Sequence, residues 1–196
     1  MSSLSTDPTT PLPRRKPSPM MLVSLGLGAV LALSLISTVT YLTSPSTSTS
    51  QPQPALVGTT IKPLELPGLR PTDSSQRIPL KNTPTVLVFF ASWCGPCHQE
   101  MPELVWYVKH RLNSAVTLIG IAANDKAAAA RAFLDEHHAS FPAVSDEGGT
   151  ATSTVFGFSS LPETVFIDAK GVVRHVVYGA VTSRDLDTNI ALITHS

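Results

Sequence analysis

Residues 85–97 read Thr-Val-Leu-Val-Phe-Phe-Ala-Ser-Trp-Cys-Gly-Pro-Cys, and they are the most informative part of the sequence. The first six are β-branched, aliphatic or aromatic without interruption, a pattern that predicts a buried strand. The apolar residues that follow recur with the spacing of one helical face and predict a helix over residues 94–112. Cys94 and Cys97 therefore lie where a buried strand passes into a helix.

The composition permits one ordinary domain with an additional segment. The chain has 196 residues, of which 42% are hydrophobic, and this fraction is sufficient for a buried core. Fourteen basic residues balance fourteen acidic ones, and the one basic cluster, Arg14-Arg15-Lys16, lies just before an apolar run. A basic cluster in this position is typical of the residues that orient a membrane segment. Because the chain has no other basic cluster, the sequence predicts no nucleic-acid partner.

The N-terminal part of the chain has the pattern of a membrane anchor. Residues 20–42 carry no charge and are long enough to cross a bilayer as a helix. Residues 1–19 are rich in Ser, Thr and Pro, which predicts a disordered tail. The basic cluster at the end of this tail predicts that it lies in the cytoplasm. A polar linker over residues 43–55 then leads to an extracytoplasmic domain over residues 56–196. The alternative is a cleaved signal peptide, which would leave the domain secreted.

Strand and helix patterns alternate within the predicted domain. Asn124 or Asp125 is predicted to cap a helix that ends near His138, and Ala169-Lys170-Gly171 is typical of a hairpin turn. Parallel strands joined by helices and followed by a hairpin predict an α/β sandwich with a mixed central sheet. The predicted strands span residues 85–90, 116–122, 163–168 and 172–178, and the helices span 94–112, 124–138, 150–156 and 183–195.

The cysteine pair indicates redox chemistry rather than a structural cross-link. Cys94 and Cys97 would close a very small loop, and such a loop removes little entropy from the unfolded chain. Unpaired N–H groups and the helix dipole favour a thiolate at the first helical turn. Cys94 is therefore the predicted attacking thiolate of disulfide exchange, and Cys97, one turn further on, is the predicted resolving thiol.

No metal or cofactor is predicted for this site. A structural zinc site needs four ligands, and the chain has no second cysteine pair. His98 neighbours the motif and leaves copper binding as a remote alternative. His137 and His138 lie near the predicted end of a helix, where a capping role is expected.

The stretch from Phe89 to Cys97 resembles the active site of the thioredoxin superfamily. Pro102 matches the proline inside the active-site helix of that family, and Leu161-Pro162 matches its cis-proline loop. The resemblance implies a thioredoxin-like three-layer α/β/α sandwich and thiol-disulfide oxidoreductase activity. It also implies that Trp93, Leu161 and Pro162 contact the substrate.

The segments around residues 97–104 and 161–174 are similar to the membrane-anchored TlpA/ResA/CcmG (DsbE) branch of that superfamily. Two departures matter: one from the branch, in the dipeptide between the cysteines, and one from thioredoxin, in the route for proton transfer. Gly95-Pro96 is the dipeptide of thioredoxin itself, and Val88 occupies the position of the buried aspartate of thioredoxin. Glu100 and Glu163 match acidic positions of the branch, so one of them is the predicted acceptor of the Cys97 proton.

The branch implies a bacterial reductant that acts outside the cytoplasm. Its expected substrates are cysteine-containing exported proteins such as apocytochrome c during cytochrome c maturation. Its expected electron donor is a membrane thiol transporter of the CcdA/DsbD type. The alternatives are a DsbA-like oxidase and a copper-binding assembly factor, although the copper-delivering relatives carry a C-x-x-x-C spacing that this chain lacks.

Overall fold

The computed structural model describes residues 56–157 and 160–195. Within these residues the chain forms seven strands and four helices. In chain order they are β1 Leu64–Leu66, β2 Gln76–Ile78, β3 Thr85–Phe90, α1 Gly95–His110, β4 Thr117–Ala123, α2 Ala127–Glu136, β5 Ala143–Asp146, α3 Thr150–Phe156, β6 Glu163–Ile167, β7 Val173–Tyr178 and α4 Ser183–Thr194.

The central sheet is mixed, as predicted. Its five strands lie in the order β5-β4-β3-β6-β7, with β3, β4 and β5 parallel. The strand β6 runs antiparallel to β3 and carries β7 as the other strand of its hairpin. The turn between them is closed by Asp168, whose Oδ1 accepts the N–H groups of Lys170 and Val172. All six residues of β3 are buried because helices or loops cover both faces of this central strand.

Two apolar clusters, one on each face of the sheet, make the domain three-layered. The first cluster joins α1, α2 and α4 to one face and contains Cys97, Leu104, Phe133 and Leu186. The second cluster joins α3 and the β1–β2 hairpin to the opposite face and contains Phe156. Side chains of β3 alternate between the two clusters, as the pleat of a strand requires. The predicted α/β/α arrangement is confirmed.

Two aspects of the fold were not predicted correctly. The short strands β1, β2 and β5 were missed because three or four residues are too few to show a periodicity. The predicted cap of α2 at Asn124 or Asp125 is wrong. The N-cap is Lys126, which makes no side-chain capping bond, and the Glu147 carboxylate accepts the N–H of Ala127 instead.

The predicted tail, anchor and linker lie outside the described residues. Between residues 56 and 157 and between 160 and 195, no helix is long and apolar enough to cross a membrane. The assignments for residues 1–19, 20–42 and 43–55 stay predictions.

Candidate active site

Cys94 and Cys97 form a disulfide at the N-terminus of α1. Cys94 is the N-cap of the helix, and the backbone N–H of Cys97 donates to Cys94 Sγ at 3.2 Å. Pro96 occupies the first helical turn, where its missing N–H leaves no bond unmade. Cys94 is only 4% exposed and Cys97 is fully buried. The N–H that points at Cys94 Sγ would stabilise a thiolate there once the disulfide is reduced.

The loop before Cys94 is held by the loop that follows β4. The carboxylate of Asp125 accepts the backbone N–H of Ser92 at 2.6 Å and the Ser92 hydroxyl at 3.1 Å. The indole N–H of Trp93 donates to the carbonyl of Asn124 at 3.0 Å. Asp125 is therefore a positioning residue that sequence reasoning assigned to helix capping. Its side chain crosses between two loops, a contact that local patterns do not encode.

The residues predicted to contact substrate lie on two different loops. Trp93 is 61% exposed, and its indole N–H bond leaves much of the ring open to solvent. The peptide bond between Leu161 and Pro162 is cis, as the resemblance implied. Leu161 is half-buried, while Pro162 is buried and immediately precedes β6. Trp93 thus presents an apolar surface directly beside the cysteine pair, whereas a role for Leu161 and Pro162 in binding stays a prediction.

Glu100 is a buried carboxyl group on the same helix as the cysteines. It is 3% exposed, and its Oε1 accepts the backbone N–H of Val181 at 2.7 Å. Its Oε2 is buried and has no hydrogen-bond partner within the described part of the chain. The pKa of Glu100 is raised from 4.5 to about 7. Burial is the main cause of this rise, the hydrogen bond from Val181 opposes it, and the charge of Glu103 adds to it. A carboxyl group with this pKa can exchange a proton near neutral pH.

Glu163, the other predicted proton acceptor, is also buried but faces elsewhere. It is 1% exposed and lies opposite Phe89 in the antiparallel register of β6 and β3. Phe89 belongs to the second cluster, so strand alternation directs Glu163 toward the same face. Cys97 and Val88, which replaces the aspartate of thioredoxin, belong to the first cluster. Of the two glutamates, Glu100 therefore shares an element and a face with Cys97.

His98 in the first turn of α1 contacts His137 at the end of α2. His98 Nδ1 and His137 Nε2 are 3.0 Å apart, and His98 Nε2 is 3.0 Å from the carbonyl oxygen of Ser92. Phe133 packs against both rings, with centroid distances of 4.7 and 4.8 Å. Burial and the neighbouring His98 lower the pKa of His137. His137 is the C-cap residue of α2, as predicted, but its ring contact with His98 was not foreseen.

Solved structures of other proteins share this fold. A DsbF homologue from Corynebacterium diphtheriae superposes with a TM-score of 0.61 at 23% identity, covering 68% of this chain and 86% of that one. A secreted Mycobacterium tuberculosis disulfide oxidoreductase gives a TM-score of 0.56 at 24% identity, covering 66% and 95%. The fold is therefore thioredoxin-like, and it carries a Cys-x-x-Cys disulfide at the start of its first helix.

Sequence relatives identify the family. The Redoxin family matches residues 56–190, more than half of the chain, and this protein belongs to it. Thiol:disulfide interchange protein DsbE from Pseudomonas aeruginosa is 31% identical over 134 residues, which cover 66% of this chain and 71% of that protein. Thioredoxin-like protein YneN from Bacillus subtilis is 30% identical, with 57% of this chain and 66% of that protein covered. Thiol-disulfide oxidoreductase ResA from Bacillus cereus is 31% identical, with 55% and 62% covered.

Proposed function

We propose that this protein is an extracytoplasmic thiol-disulfide oxidoreductase that reduces disulfides in exported proteins. The observation that carries the proposal is the Cys94–Cys97 disulfide at the N-terminus of α1, with the N–H of Cys97 directed at Cys94 Sγ. Relatives named as a thiol:disulfide interchange protein and as a thiol-disulfide oxidoreductase support the same chemistry. The proposed substrates include apocytochrome c during cytochrome c maturation, with a CcdA/DsbD-type membrane transporter as electron donor.

The first step of the proposed reaction is attack by Cys94. In the reduced protein its thiolate attacks one sulfur of the substrate disulfide, forms a mixed disulfide with that sulfur, and releases the other substrate sulfur as a thiolate. The helix N-terminus and the N–H of Cys97 stabilise the attacking thiolate. The exposed ring of Trp93 gives the substrate an apolar surface beside the sulfur.

The second step is resolution by Cys97. The Cys97 thiol gives its proton to the Glu100 carboxylate, and the resulting thiolate attacks Cys94 Sγ. The second substrate sulfur leaves as a thiolate, so the substrate gains two electrons and the protein dithiol becomes the disulfide. Glu100 suits this role because it lies on α1 with Cys97 and has a pKa near 7. Electrons from the donor then restore the dithiol.

Trapping with single-cysteine variants tests the assignment of the two cysteines. Cys97→Ser should accumulate a mixed disulfide with a cysteine-containing peptide, because no thiol remains to resolve it. Cys94→Ser should accumulate none, because Cys97 is fully buried. Mass spectrometry under non-reducing conditions measures the adduct. Equal trapping by both variants would contradict the division into an attacking and a resolving cysteine.

The reduction potential distinguishes the proposed reductant from the alternative oxidase. Equilibration with a glutathione buffer, read by alkylation of the free thiols, gives the midpoint of the Cys94–Cys97 couple. A value near that of thioredoxin, about −270 mV, is expected for a reductant. A value near that of DsbA, about −120 mV, would reverse the proposed direction of electron flow while leaving disulfide exchange intact.

A further inference from the structure

The contacts of His98 fix where its ring proton lies. His98 Nε2 is 3.0 Å from the carbonyl oxygen of Ser92, and a carbonyl oxygen only accepts hydrogen bonds. Nε2 must therefore carry the hydrogen, and in the neutral ring Nδ1 holds the lone pair. That lone pair points at His137 Nε2, 3.0 Å away. Two imidazole nitrogens, one in the first turn of α1 and one at the C-cap of α2, thus lie 3.0 Å apart.

The spacing of these nitrogens fits two ligands of one tetrahedral cation. With metal–nitrogen bonds of about 2.0–2.1 Å, two ligands at a tetrahedral angle lie about 3.3 Å apart. The observed separation of 3.0 Å is close to this value. After small rotations of both rings, the cation would lie beside the line that joins the two nitrogens, and the hydrogen that the rings now share would move to His137 Nδ1. Both imidazoles then bind in their neutral form, as metal-bound histidines do.

A carboxylate lies within reach of the same two nitrogens. The ligand atoms of His98, Glu136 and His137 all fall within 4.8 Å of one another. Glu136 is exposed, so its side chain can rotate toward the nitrogens without repacking the core. The bond from His98 Nε2 to Ser92 is of the kind that orients metal-bound histidines, which usually donate their other N–H to a carbonyl or carboxylate.

We propose that His98, Glu136 and His137 form a binding site for a divalent cation of the zinc type, with water as the fourth ligand. Two histidines and one carboxylate are a ligand set that zinc accepts in tetrahedral sites. The bound ion would join the first turn of α1 to the end of α2. The site uses neither cysteine and is independent of the direction of disulfide exchange.

The test uses the full-length oxidised protein, purified in detergent without a histidine tag. Oxidation keeps both cysteine sulfurs in the disulfide, so thiolates cannot act as ligands. Titration with Co²⁺ should produce the visible absorption of a tetrahedral complex at one equivalent, and Zn²⁺ should displace it. His98→Ala and His137→Ala should each weaken Zn²⁺ binding by more than about tenfold, the effect expected even for loss of an outer-shell partner.

Two further variants separate binding from folding. Glu136→Gln changes an exposed side chain and should weaken Zn²⁺ binding with an unchanged circular dichroism spectrum. His110→Ala, on the exposed side of α1, is the matched control and should bind Zn²⁺ like the unmodified protein. In the unmodified protein, Zn²⁺ should shift the imidazole ¹⁵N resonances of two histidines, and both shifts should be absent from the His98→Ala and His137→Ala spectra.

Several results would overturn the proposal. They are the absence of Co²⁺ absorption and of Zn²⁺ binding in the oxidised protein, folded His98→Ala and His137→Ala variants that bind Zn²⁺ as tightly as the unmodified protein, or ¹⁵N shifts at other histidines. If either alanine variant fails to fold, Glu136→Gln and the ¹⁵N spectra of the unmodified protein decide the matter alone.

Discussion

At the scale of single residues, the site contains two kinds of thiol chemistry that depend on different neighbours. Cys94 relies on backbone N–H groups at the helix start, which act at any pH. Cys97 is buried, so its thiolate forms only if a nearby base accepts the proton. Glu100 is the described residue that combines burial, position on α1 and a pKa near neutrality. Its ionisation should therefore set the pH dependence of resolution.

Replacing Glu100 by Gln should slow the resolving step more than the attack by Cys94. General acid–base groups contribute about 10²–10⁴-fold to rates, and Gln keeps the acceptor for Val181 but cannot take a proton. In the unmodified protein the rate of mixed-disulfide release should rise with a midpoint near pH 7, where Glu100 ionises. Rapid-quench alkylation measures this release.

Two controls accompany this kinetic experiment. Glu103→Gln changes an exposed glutamate of the same helix whose Oε1 accepts the N–H of Ser183. It should lower the midpoint only slightly, since the charge of Glu103 adds to the raised pKa of Glu100. Glu163→Gln should leave the midpoint in place, because Glu163 lies on the other face of the sheet. An unchanged release rate in both Glu100→Gln and Glu163→Gln would refute a role for either glutamate.

The pKa of Glu100 also predicts how stability changes with pH. The folded state holds the Glu100 proton up to about pH 7, whereas the unfolded chain releases it near 4.5. Stability from this group is therefore complete below pH 4.5 and is lost as the pH rises toward 7, by up to about 3 kcal/mol. Urea unfolding of the oxidised protein at several pH values should show this fall, and Glu100→Gln should flatten it. A parallel curve for the variant would contradict the assignment.

At the scale of elements, the start of α4 supports the active-site helix. Thr182 and Asp185 form a capping box in which each side chain accepts the other residue's backbone N–H. The residue just before this box, Val181, donates to Glu100 on α1. Tyr107 of α1 also donates to Asp187 of α4 at 2.9 Å. The two helices are thus joined by polar contacts as well as by the first apolar cluster.

Thr182→Ala should reduce the free energy of unfolding by about 1 kcal/mol, the usual cost of losing an N-cap side chain. Thr194→Ala at the other end of α4 is the control. The Thr194 hydroxyl donates within its own helix, so its loss should change stability by less than about 0.5 kcal/mol. Urea titration followed by circular dichroism measures both. Equal effects would show that the capping box contributes nothing specific.

At the scale of the whole molecule, the described domain is a sheet with helices on both faces and its redox pair at the end of the central strand. Parallel neighbours bring the loops after β3 and β4 to the same edge of the sheet. This explains why Asp125 and Asn124 hold the loop that carries Trp93. The predicted membrane attachment, the other property of this scale, rests on the apolar pattern of residues 20–42, which lie outside the described residues.

The apolar pattern of residues 20–42 predicts that the full-length protein stays in the membrane after alkaline carbonate extraction. Leu33→Arg places a charge near the middle of this segment, where insertion costs about 2.5–3.5 kcal/mol, and should release the protein or prevent its export. Ser48→Arg in the polar linker should change nothing. Membrane fractionation with immunoblotting measures both variants. A mature mass that lacks the apolar segment would instead establish a cleaved signal peptide.

Much of the fold and part of the site could be predicted from the sequence. The strand β3 and the helix α1 follow from long, regular apolar patterns, and the Cys-x-x-Cys pair between them follows from local order along the chain. The hairpin of β6 and β7 follows from turn residues. The edge strand β5 escaped prediction because its stability comes from pairing with β4 and with the segment around Leu69. Such pairing is not visible in four residues.

What the sequence determined by itself is the chemistry at Cys94 and Cys97, because helix start, dipeptide and cysteine spacing are all local. Only the tertiary structure decided which acid and which histidines lie near it. Glu100 acquires its raised pKa from burial in the folded domain, and its Oε1 accepts the N–H of Val181, a residue 81 positions away. His98 meets His137 only because α1 and α2 pack on the same face of the sheet. Desolvation and convergence of side chains depend on packing between distant segments, and no local pattern carries them.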